Sequence, residues 1–359
     1  KNEERLQRKL KTEIIKIDVN NIENNKIAYA AEIIKKGGLV AFPTETVYGL
    51  GANALNPDAV KNIFKAKGRP SDNPLIVHIS KIEQLNDLVI EVPSAVQKLI
   101  SRFWPGPLTI ILKRSCAVSD EITAGLDTVA VRMPSHPIAL ALINMSSCPI
   151  AAPSANSSGK PSPTRANHVI EDLKGKIDLI IDGGPTSVGV ESTVLDMTSS
   201  QPVILRPGGI TLEQLNEVLE HVLINVSEEN NSSNSKVPRS PGLKYRHYSP
   251  KAKIIIVDGE PAKAVEKIKE LAEVYEKENV KIGILATEQT KNLYNVPIVI
   301  SMGDREKADI IASKLFNCFR EFDHLGIQLI LAESINEKGI GSAVMNRLIK
   351  ASGHNIIKV

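Results

Sequence analysis

The stretch IAYAAEIIKKGGLVAFP, residues 27–43, contains a complete transition from helix to strand. Its first part has apolar residues at helical spacing, and a pair of glycines such as Gly37 and Gly38 is a typical helix end. The following LVAFP has the continuous apolar character of a short buried strand. We therefore predict a helix packed against a sheet in this part of the chain.

The same alternation continues along the chain. Strands are predicted at LIVHIS (75–80), LTIILK (108–113), VAVRM (129–133), CPIAAPS (148–154), DLIIDGG (178–184), STVLDM (192–197) and PVILRPG (202–208). Pro57 is expected to open a helix, and further helices between these strands predict an α/β sheet. Because the later strands follow one another closely, part of this sheet is expected to be antiparallel.

A polar segment divides the chain. Thr211 and Gln214 form a capping-box pattern that predicts a helix over 212–223 at the end of the first domain. The segment SEENNSSNSKVPRSPG then lacks periodicity and is typical of a linker. Beyond it, three or four apolar strands separated by helices predict a small Rossmann-like sheet, without the GxGxxG of dinucleotide binding. The predicted organisation is a first domain at 20–225, a linker at 226–250 and a second domain at 251–359.

Composition excludes several classes of protein. The 359 residues are 42% hydrophobic and 24% charged, as in globular proteins of two domains. A formal charge of 44 − 41 = +3 and 4% aromatic residues argue against an extended nucleic-acid surface. Three widely spaced cysteines indicate a reduced compartment without CxxC metal sites. Since the sequence lacks both an apolar signal region and a run long enough to span a bilayer, we expect a cytoplasmic protein with no membrane contact.

A cationic loop is the most unusual local feature. Lys65, Lys67 and Arg69 lie between a predicted helix and the strand that carries His78. Arginine offers a planar fork to phosphate oxygens and lysine a point charge, so this loop can bind an anion. The alternative is that these cations complement the helix dipole and that His78 is an ordinary half-buried histidine.

Loops rich in hydroxyl and amide groups follow several predicted strands. They are FPTETVYGLGAN (42–53), AAPSANSSGKPSPTRA (151–166), ESTVLD (191–196) and LRPGG (205–209). Open α/β sheets bind ligands at the carboxyl ends of their strands, although such loops can also be ordinary turns. The sequence has no Walker P-loop, no GxSxG and no HExxH, and no spacing typical of metal ligands. We therefore expect a site that works by positioning and charge neutralisation.

Taken in order, the motifs PTETVYGLGAN, KGRPSDNPL, PSAN, STVLD and RPG resemble the YrdC/Sua5 family. KGR at 67–69 and SAN at 154–156 match the KxR and SxN pair of that family. SPGLKYRHYSP at 240–250 resembles the linker of the longer, two-domain Sua5 form. The resemblance implies an α/β fold: an N-terminal YrdC-like twisted mixed sheet with helices around a large basic cavity, and a smaller C-terminal Rossmann-like domain.

The resemblance also implies a reaction. L-threonine, bicarbonate or CO₂, and ATP would give threonylcarbamoyl-AMP and pyrophosphate, by nucleotidyl transfer to the threonine carbamate. Mg²⁺ is expected to accompany ATP. The product would pass to a threonylcarbamoyl transferase complex that modifies adenosine 37 of ANN-decoding tRNAs. Only a weak contact with tRNA is implied, and we expect a monomer.

The family's site residues transfer to matching positions of this sequence. Lys67, Arg69, Ser154 and Asn156 are expected at the reacting groups. Thr46, His78, Arg132, Ser154 and Ser192 would surround threonine and its carbamate. Lys67, Arg69, Asn73, Thr128, Asn156, Thr164, Arg206 and Tyr248 would hold ATP. The linker residues Tyr245, Arg246, His247 and Tyr248 would close over the nucleotide as a lid, or merely tether the two domains.

Two other functions remain open at this stage. One is a binding protein without catalysis that holds double-stranded RNA or tRNA, for which the basic clusters at 61–69 and 244–253 are available. The other is carbamoyl transfer from carbamoyl phosphate, as in hydrogenase-maturation relatives of the family. Those relatives are expected to carry an acylphosphatase-like domain and zinc-finger cysteines, and this sequence has neither.

Overall fold

The predicted transition from helix to strand is present in the computed structural model, which describes residues 11–224, 238–240 and 248–359. Helix α1 spans Asn24–Lys35 and strand β2 spans Val40–Phe42, after a first strand β1 at Glu13–Lys16. Ile27 and Ile34 of the helix pack with Phe42 of the strand in one apolar cluster. The helical spacing of the apolar residues therefore places α1 on the sheet, as the sequence predicts.

A mixed sheet of eleven strands forms the first part of the described chain. Its further strands are β3 (Gly49–Asn53), β4 (Ile76–His78), β5 (Leu108–Lys113), β6 (Thr128–Arg132), β7 (Ile150–Ala151), β8 (Leu179–Asp182), β9 (Thr193–Asp196), β10 (Val203–Arg206) and β11 (Leu223–Ile224). Their spatial order is β1-β8-β2-β3-β7-β4-β6-β5-β9-β10-β11. β9 and β10 pair antiparallel, as the close spacing of the later strands predicts.

Helices cover this sheet. They are α2 (Pro57–Lys67), α3 (Leu85–Leu88), α4 (Ser94–Phe103), α5 (Asp120–Thr123), α6 (Pro137–Ser146), α7 (Ala166–Leu173) and α8 (Leu212–Asn216). Pro57 opens α2 as predicted, and the Asn56 side chain accepts hydrogen bonds from the N–H groups of residues 58 and 59. The largest apolar cluster joins α2 and α4 to the inner strands, so the helices bury one continuous core.

The predicted helix over 212–223 is wrong in length. α8 ends at Asn216, and Leu223–Ile224 is an edge strand parallel to β10. The Thr211–Gln214 capping box is present and starts the helix as predicted. The turn that follows is held by the Asn216 side chain, which accepts a hydrogen bond from the N–H of Val222. Pairing with β10 therefore overrides the helical pattern of the last residues.

The second part of the described chain is an all-parallel sheet of five strands, in the order β14-β13-β15-β12-β16. The strands are β12 (Lys253–Asp258), β13 (Ile282–Ala286), β14 (Val299–Ser301), β15 (Leu329–Glu333) and β16 (Ile356–Lys358), and the helices are α9 (Pro261–Lys277), α10 (Ala308–His324) and α11 (Gly341–Ser352). Helices between parallel strands bear out the predicted Rossmann-like class. β16 adds a strand that the sequence pattern did not reveal.

The two parts of the chain pack closely against each other. Gly189 has φ +80°, and a Cβ at this position would lie 2.3 Å from the Cα of Ser313 in α10. Only glycine fits such a backbone approach. Val47 and Val190 of the first part also join the apolar cluster of the second part. None of the helices in the described ranges is long and apolar enough to cross a membrane.

Candidate active site

A cavity lies where the loops before β3 and β9 approach the ends of β4, β6 and β10. Its unfilled space is about 590 Å³, counting the open mouth. The structure places eight of the predicted site residues around it: Thr46, Arg69, His78, Arg132, Ser154, Ser192, Arg206 and Tyr248. These residues come from positions 46 to 248, so folding brings together motifs that are far apart in the sequence.

Arg132 is fixed at the end of β6. Its Nη1 donates to Thr46 Oγ1 at 2.9 Å and its Nε to the Gly106 carbonyl at 3.3 Å, while Nη2 lies 2.6 Å from Glu45 Oε1. Both charged side chains of this ion pair are nearly inaccessible to water. The guanidinium is therefore held in one orientation, as planar recognition of a carboxylate requires.

His78 lies beside Arg132 because β4 and β6 are parallel and the two residues are partners in register. Burial, and then the nearby Arg132 charge, lower the pKa of His78 from 6.5 to about 3. The imidazole is consequently neutral at physiological pH. A neutral ring can orient a hydroxyl or carbonyl group by hydrogen bonding, but it adds no positive charge to the cavity.

Threonine hydroxyl groups form hydrogen bonds within the loop before β3. Thr44 Oγ1 accepts from the Thr46 N–H at 3.1 Å and donates to the Val47 carbonyl at 2.6 Å. The Thr44 and Thr46 hydroxyls are 2.9 Å apart. The TET sequence therefore presents the Thr46 hydroxyl to Arg132 in a fixed geometry, as an ST-type turn does.

Ser192 and Arg206 form a second polar group. Arg206 donates from Nε and Nη2 to the Ser192 carbonyl at 3.2 and 3.0 Å, and Nη2 also reaches Ser192 Oγ at 3.2 Å. Thr109 Oγ1 lies 2.8 Å from the same hydroxyl. A Cβ on Gly208 would come within 2.4 Å of the backbone of residues 191–193, so the RPGG turn needs glycine here to pack on the ESTVLD segment.

Lys67 and Asn156 lie behind Ser154. The Lys67 ammonium donates to the carbonyl oxygen of Ser154, and to the Asn156 carbonyl oxygen at 2.6 Å. Burial, followed by the Arg69 charge, keeps the pKa of Lys67 well below its usual value. The KGR and SAN motifs are thus joined directly, and Lys67 organises the loop that carries Ser154.

Arg69 and Asn73 occupy the loop between α2 and β4. Arg69 lines the cavity and donates to the Asn73 and Pro74 carbonyls at 3.4 and 3.2 Å. The Asn73 side chain is buried, yet neither its oxygen nor its nitrogen has a hydrogen-bond partner among the described residues. A buried amide without partners is costly unless a ligand or water satisfies it.

Thr128 and Thr164 are buried and do not belong to the lining of the cavity. Thr128 is on the same face of β6 as Arg132, four residues earlier, which corresponds to about 13 Å along a strand. The Thr164 N–H donates to Nδ1 of His168 at 3.2 Å. A ligand that contacts both Arg132 and Thr128 would therefore have to be elongated.

Tyr248 is the described residue of the predicted lid, whereas Tyr245, Arg246 and His247 lie outside the described residues. Its ring is stacked on Phe316 with centroids 5.5 Å apart, and the Arg347 guanidinium carbon is 5.2 Å from the ring centroid. Tyr248 is buried and forms part of the cavity wall. Burial, followed by the negative charge of Glu191, raises the pKa of its hydroxyl.

Three charged residues around the cavity were not singled out from the sequence. Glu45 and Glu191 lie inside quoted motifs, and both line or flank the cavity as partners of arginines. Arg347 lies on α11 among the buried residues Val344, Leu348 and Ala351. A charged residue on the apolar face of an amphipathic helix was the available signal, because such a charge needs a buried partner.

The described residues offer no dedicated metal site. Within the described ranges, no three His, Cys, Asp or Glu side chains are close enough to hold a metal ion. Glu191, which lines the cavity, and Glu45, which lies between the lining residues Thr44 and Thr46, are each paired with an arginine. This part of the chain therefore has no cluster of carboxylates dedicated to a metal ion.

Comparison with known proteins identifies both parts of the chain. A family model described as "Telomere recombination", for Sua5, YciO and YrdC proteins, matches residues 32–208. A second model, "Threonylcarbamoyl-AMP synthase, C-terminal domain", matches residues 210–353. Together they cover most of the chain, in the order that the motifs predict.

Curated relatives and solved structures agree with these matches. The chain is 54% identical to a threonylcarbamoyl-AMP synthase of Pyrococcus abyssi over 94% of this chain and 97% of the relative, and 51% identical to one of Bacillus subtilis over 93% and 94%. The crystal structure of Pyrococcus abyssi Sua5 complexed with L-threonine superposes with a TM-score of 0.92 at 52% identity, covering 97% of this chain and all of that one. Similarity of this extent includes both sheets and the segment between them. The chain therefore belongs to the Sua5 family of two-domain threonylcarbamoyl-AMP synthases.

Proposed function

We propose that this protein makes threonylcarbamoyl-AMP and pyrophosphate from L-threonine, bicarbonate or CO₂, and ATP. The observation that carries the proposal is the gathering of three arginines, a neutral histidine and two serines around one cavity. The high identity to two proteins named for this activity supports the same chemistry here. We place the enzyme among the nucleotidyltransferases.

Threonine and its carbamate would occupy the part of the cavity formed by Thr46, His78, Arg132, Ser154 and Ser192. The fixed guanidinium of Arg132 can pair with the substrate carboxylate, and the neutral His78 ring can bond the hydroxyl of the amino acid. A cavity that holds the amine beside bicarbonate or CO₂ favours carbamate formation by proximity. No described residue is required as a general base.

ATP would bind towards the cationic loop and the RPGG turn. We assign its contacts to Lys67, Arg69, Asn73, Thr128, Asn156, Thr164, Arg206 and Tyr248. The carbamate oxygen attacks the α-phosphorus and pyrophosphate leaves, so cations near the phosphates stabilise the developing charge. Arg69 and Arg206 line the cavity for this role, Lys67 and Asn156 hold Ser154 in place, and the unpartnered amide of Asn73 is available to a ligand.

Mg²⁺ would enter as part of the ATP complex. Because the described carboxylates near the site are committed to arginines, we expect the ion to be held by phosphate oxygens and water.

We propose that the product then passes to a threonylcarbamoyl transferase complex for modification of adenosine 37 in ANN-decoding tRNAs. A monomeric, cytoplasmic enzyme with domains at 20–225 and 251–359 and a linker at 226–250 completes the proposal.

A pyrophosphate-release assay tests this function. The full chain is incubated with ATP, threonine and bicarbonate, and the adenylate is identified by mass spectrometry. Pyrophosphate release that requires threonine supports the proposal, and release that is independent of threonine contradicts it.

Deleting residues 240–250 should raise the KM for ATP sharply if the linker acts as a lid, whereas unchanged kinetics would leave it as a tether.

The alternative of a tRNA-binding protein without catalysis is less favoured. One lining cation, Arg132, is paired with the buried Glu45, and the lining residue Glu191 adds a negative charge, which does not suit a surface for phosphate backbones. Salt-dependent tRNA affinity without ATP turnover would favour this alternative. Carbamoyl transfer from carbamoyl phosphate is tested in the same assay, by replacing bicarbonate with carbamoyl phosphate.

A further inference from the structure

One arginine of the second sheet domain reaches into the walls of the site. Arg347 on α11 is fully buried, and its Nε donates to Glu191 Oε2 at 2.7 Å. Its Nη1 donates to the Pro207 carbonyl at 2.9 Å. Glu191 directly precedes Ser192, and Pro207 directly follows Arg206. Ser192 and Arg206 are hydrogen-bonded to each other at the cavity.

The same guanidinium also contacts the residue predicted to cover the nucleotide. Its central carbon is 5.2 Å from the centroid of the Tyr248 ring, within the range of a cation–π interaction. Tyr248 has φ +65°, a conformation that a residue with a side chain adopts only when its surroundings enforce it. Arg347, together with Phe316, supplies part of those surroundings.

The charges around Glu191 are balanced. Burial opposes ionisation of Glu191, but the positive charges of Arg347 and then Arg206 outweigh it and lower the pKa of this carboxyl. A second acceptor site of the carboxylate is satisfied by the Ser162 hydroxyl. Among the described residues, Arg206 is the next cation that interacts with Glu191, so without Arg347 we expect the Arg206 guanidinium to turn from Ser192 towards this carboxylate.

We propose that Arg347 is a positioning residue for the nucleotide part of the site: by holding Glu191, it keeps the Arg206 guanidinium on Ser192 in the cavity wall, where it can face a phosphate, and it packs against the ring of Tyr248. This inference rests on the proposed function, and it gives the second domain a defined part in nucleotide binding. The residue acts through Glu191, Arg206 and Tyr248, and it touches no substrate itself.

The decisive experiment compares four full-length proteins: the unsubstituted chain, Arg347→Met, Glu191→Gln, and the double variant. ATP dissociation constants are measured by calorimetry, and KM values for ATP and threonine are measured where activity allows. Arg347→Met should weaken ATP binding about tenfold or more and change threonine affinity by less than about threefold. The double variant should recover most of this loss, because the carboxylate that attracts Arg206 is gone.

Two outcomes would overturn the inference. One is an Arg347→Met protein that binds ATP like the unsubstituted chain. The other is a double variant that binds ATP as weakly as Arg347→Met, since Arg347 would then not act by keeping Glu191 away from Arg206. If Arg347→Met proves insoluble, Arg347→Lys replaces it: lysine keeps the charge but cannot bridge Glu191 and Pro207 with a planar fork, so ATP binding should still weaken several-fold.

Arg305→Met is the matched control. Arg305 forms a comparable ion pair with the buried Glu333, and its described contacts all lie within the second sheet domain. This variant should lower the melting temperature and leave ATP affinity unchanged. An unsubstituted chain that binds ATP but forms no adenylate would refute the proposed function, while the comparison of ATP affinities would still decide the role of Arg347.

Discussion

The Lys67 ammonium lies 2.6 Å from the carbonyl oxygen of Asn156, at a depth where neither residue is open to water. This bond joins the last residue of α2 to the loop that carries Ser154. Two motifs separated by nearly ninety residues therefore behave as one structural unit. The relationship leads to the first prediction.

Lys67→Met should abolish adenylate formation and lower the free energy of unfolding by about 1–3 kcal/mol, because the carbonyl oxygens of the loop lose their buried donor. The checks are pyrophosphate release and denaturant unfolding. Lys65→Met, an exposed lysine of the same helix, is the matched control and should change neither quantity. Normal adenylate synthesis by Lys67→Met would contradict the assigned role.

Arg69→Gln should reduce kcat/KM for ATP by about tenfold to a hundredfold, the usual cost of losing a hydrogen bond to a charged group. Arg69 lines the cavity, and glutamine retains much of its length without its charge. Steady-state kinetics at varied ATP provide the measurement. The exposed Arg165 offers a control through Arg165→Gln, and equal effects of both substitutions would argue against a specific phosphate contact.

Glu45→Gln should lower the stability of the unliganded protein by about 3–5 kcal/mol, since Arg132 then keeps a buried charge without its partner. Threonine should in turn stabilise this variant more than the unsubstituted chain, because the substrate carboxylate supplies the missing negative charge. Melting temperatures with and without threonine test this. Threonine methyl ester, which has no carboxylate, should give no such gain, and an equal gain with the ester would refute the pairing with Arg132.

His78 predicts a dependence of stability on pH. Burial and the Arg132 charge lower the folded pKa from 6.5 to about 3, so the folded protein keeps His78 neutral while the unfolded chain takes up a proton below pH 6.5. Stability that is present above pH 6.5 is therefore lost as the pH falls towards 3. Between pH 7 and pH 5 this contribution amounts to about 2 kcal/mol.

The measurement is the free energy of unfolding of the unsubstituted chain and of His78→Gln from pH 7 to pH 5. The difference in the free energy of unfolding between the two proteins should change by about 2 kcal/mol over this range, because glutamine does not titrate. The control is His221→Asn, at an exposed histidine. Its free energy of unfolding should vary with pH as that of the unsubstituted chain does. Parallel curves for His78→Gln would show that burial does not hold His78 neutral.

Much of the fold was predictable from local patterns. LTIILK is a strand over its full predicted length of 108–113, and Pro57 and the Thr211–Gln214 pair mark helix starts as expected. The order of the strands was not predictable, because β4 lies between β6 and β7 through contacts that span more than fifty residues. The short edge strands at Glu13–Lys16 and Ile356–Lys358 were also not predicted, because a strand of three or four partly exposed residues is too short to show a periodic pattern.

The sequence indicated which motifs form the site, but it did not indicate which of their side chains contact one another. The resemblance selected Arg132 and Ser192, and both line the cavity. The sequence did not indicate that Glu45 neutralises Arg132 or that Glu191 turns towards Arg347. Ion pairs of this kind depend on which strands and helices become neighbours, and that information lies in the tertiary structure.

The two buried bridges between the domains, Arg347 with Glu191 and Arg320 with Asp172, also limit how the chain can be cut or recombined. A fragment ending near residue 224 would lose both arginines. Asp172 would keep its ion pair with Lys160, but Glu191 would lose the partner that it contacts directly, so the fragment should be less stable than the same residues in the full chain. A hybrid that takes its second half from a distant homologue should be more stable when that half brings a guanidinium group to the position of Arg347. The two parts of this chain are therefore matched to each other at these buried ion pairs.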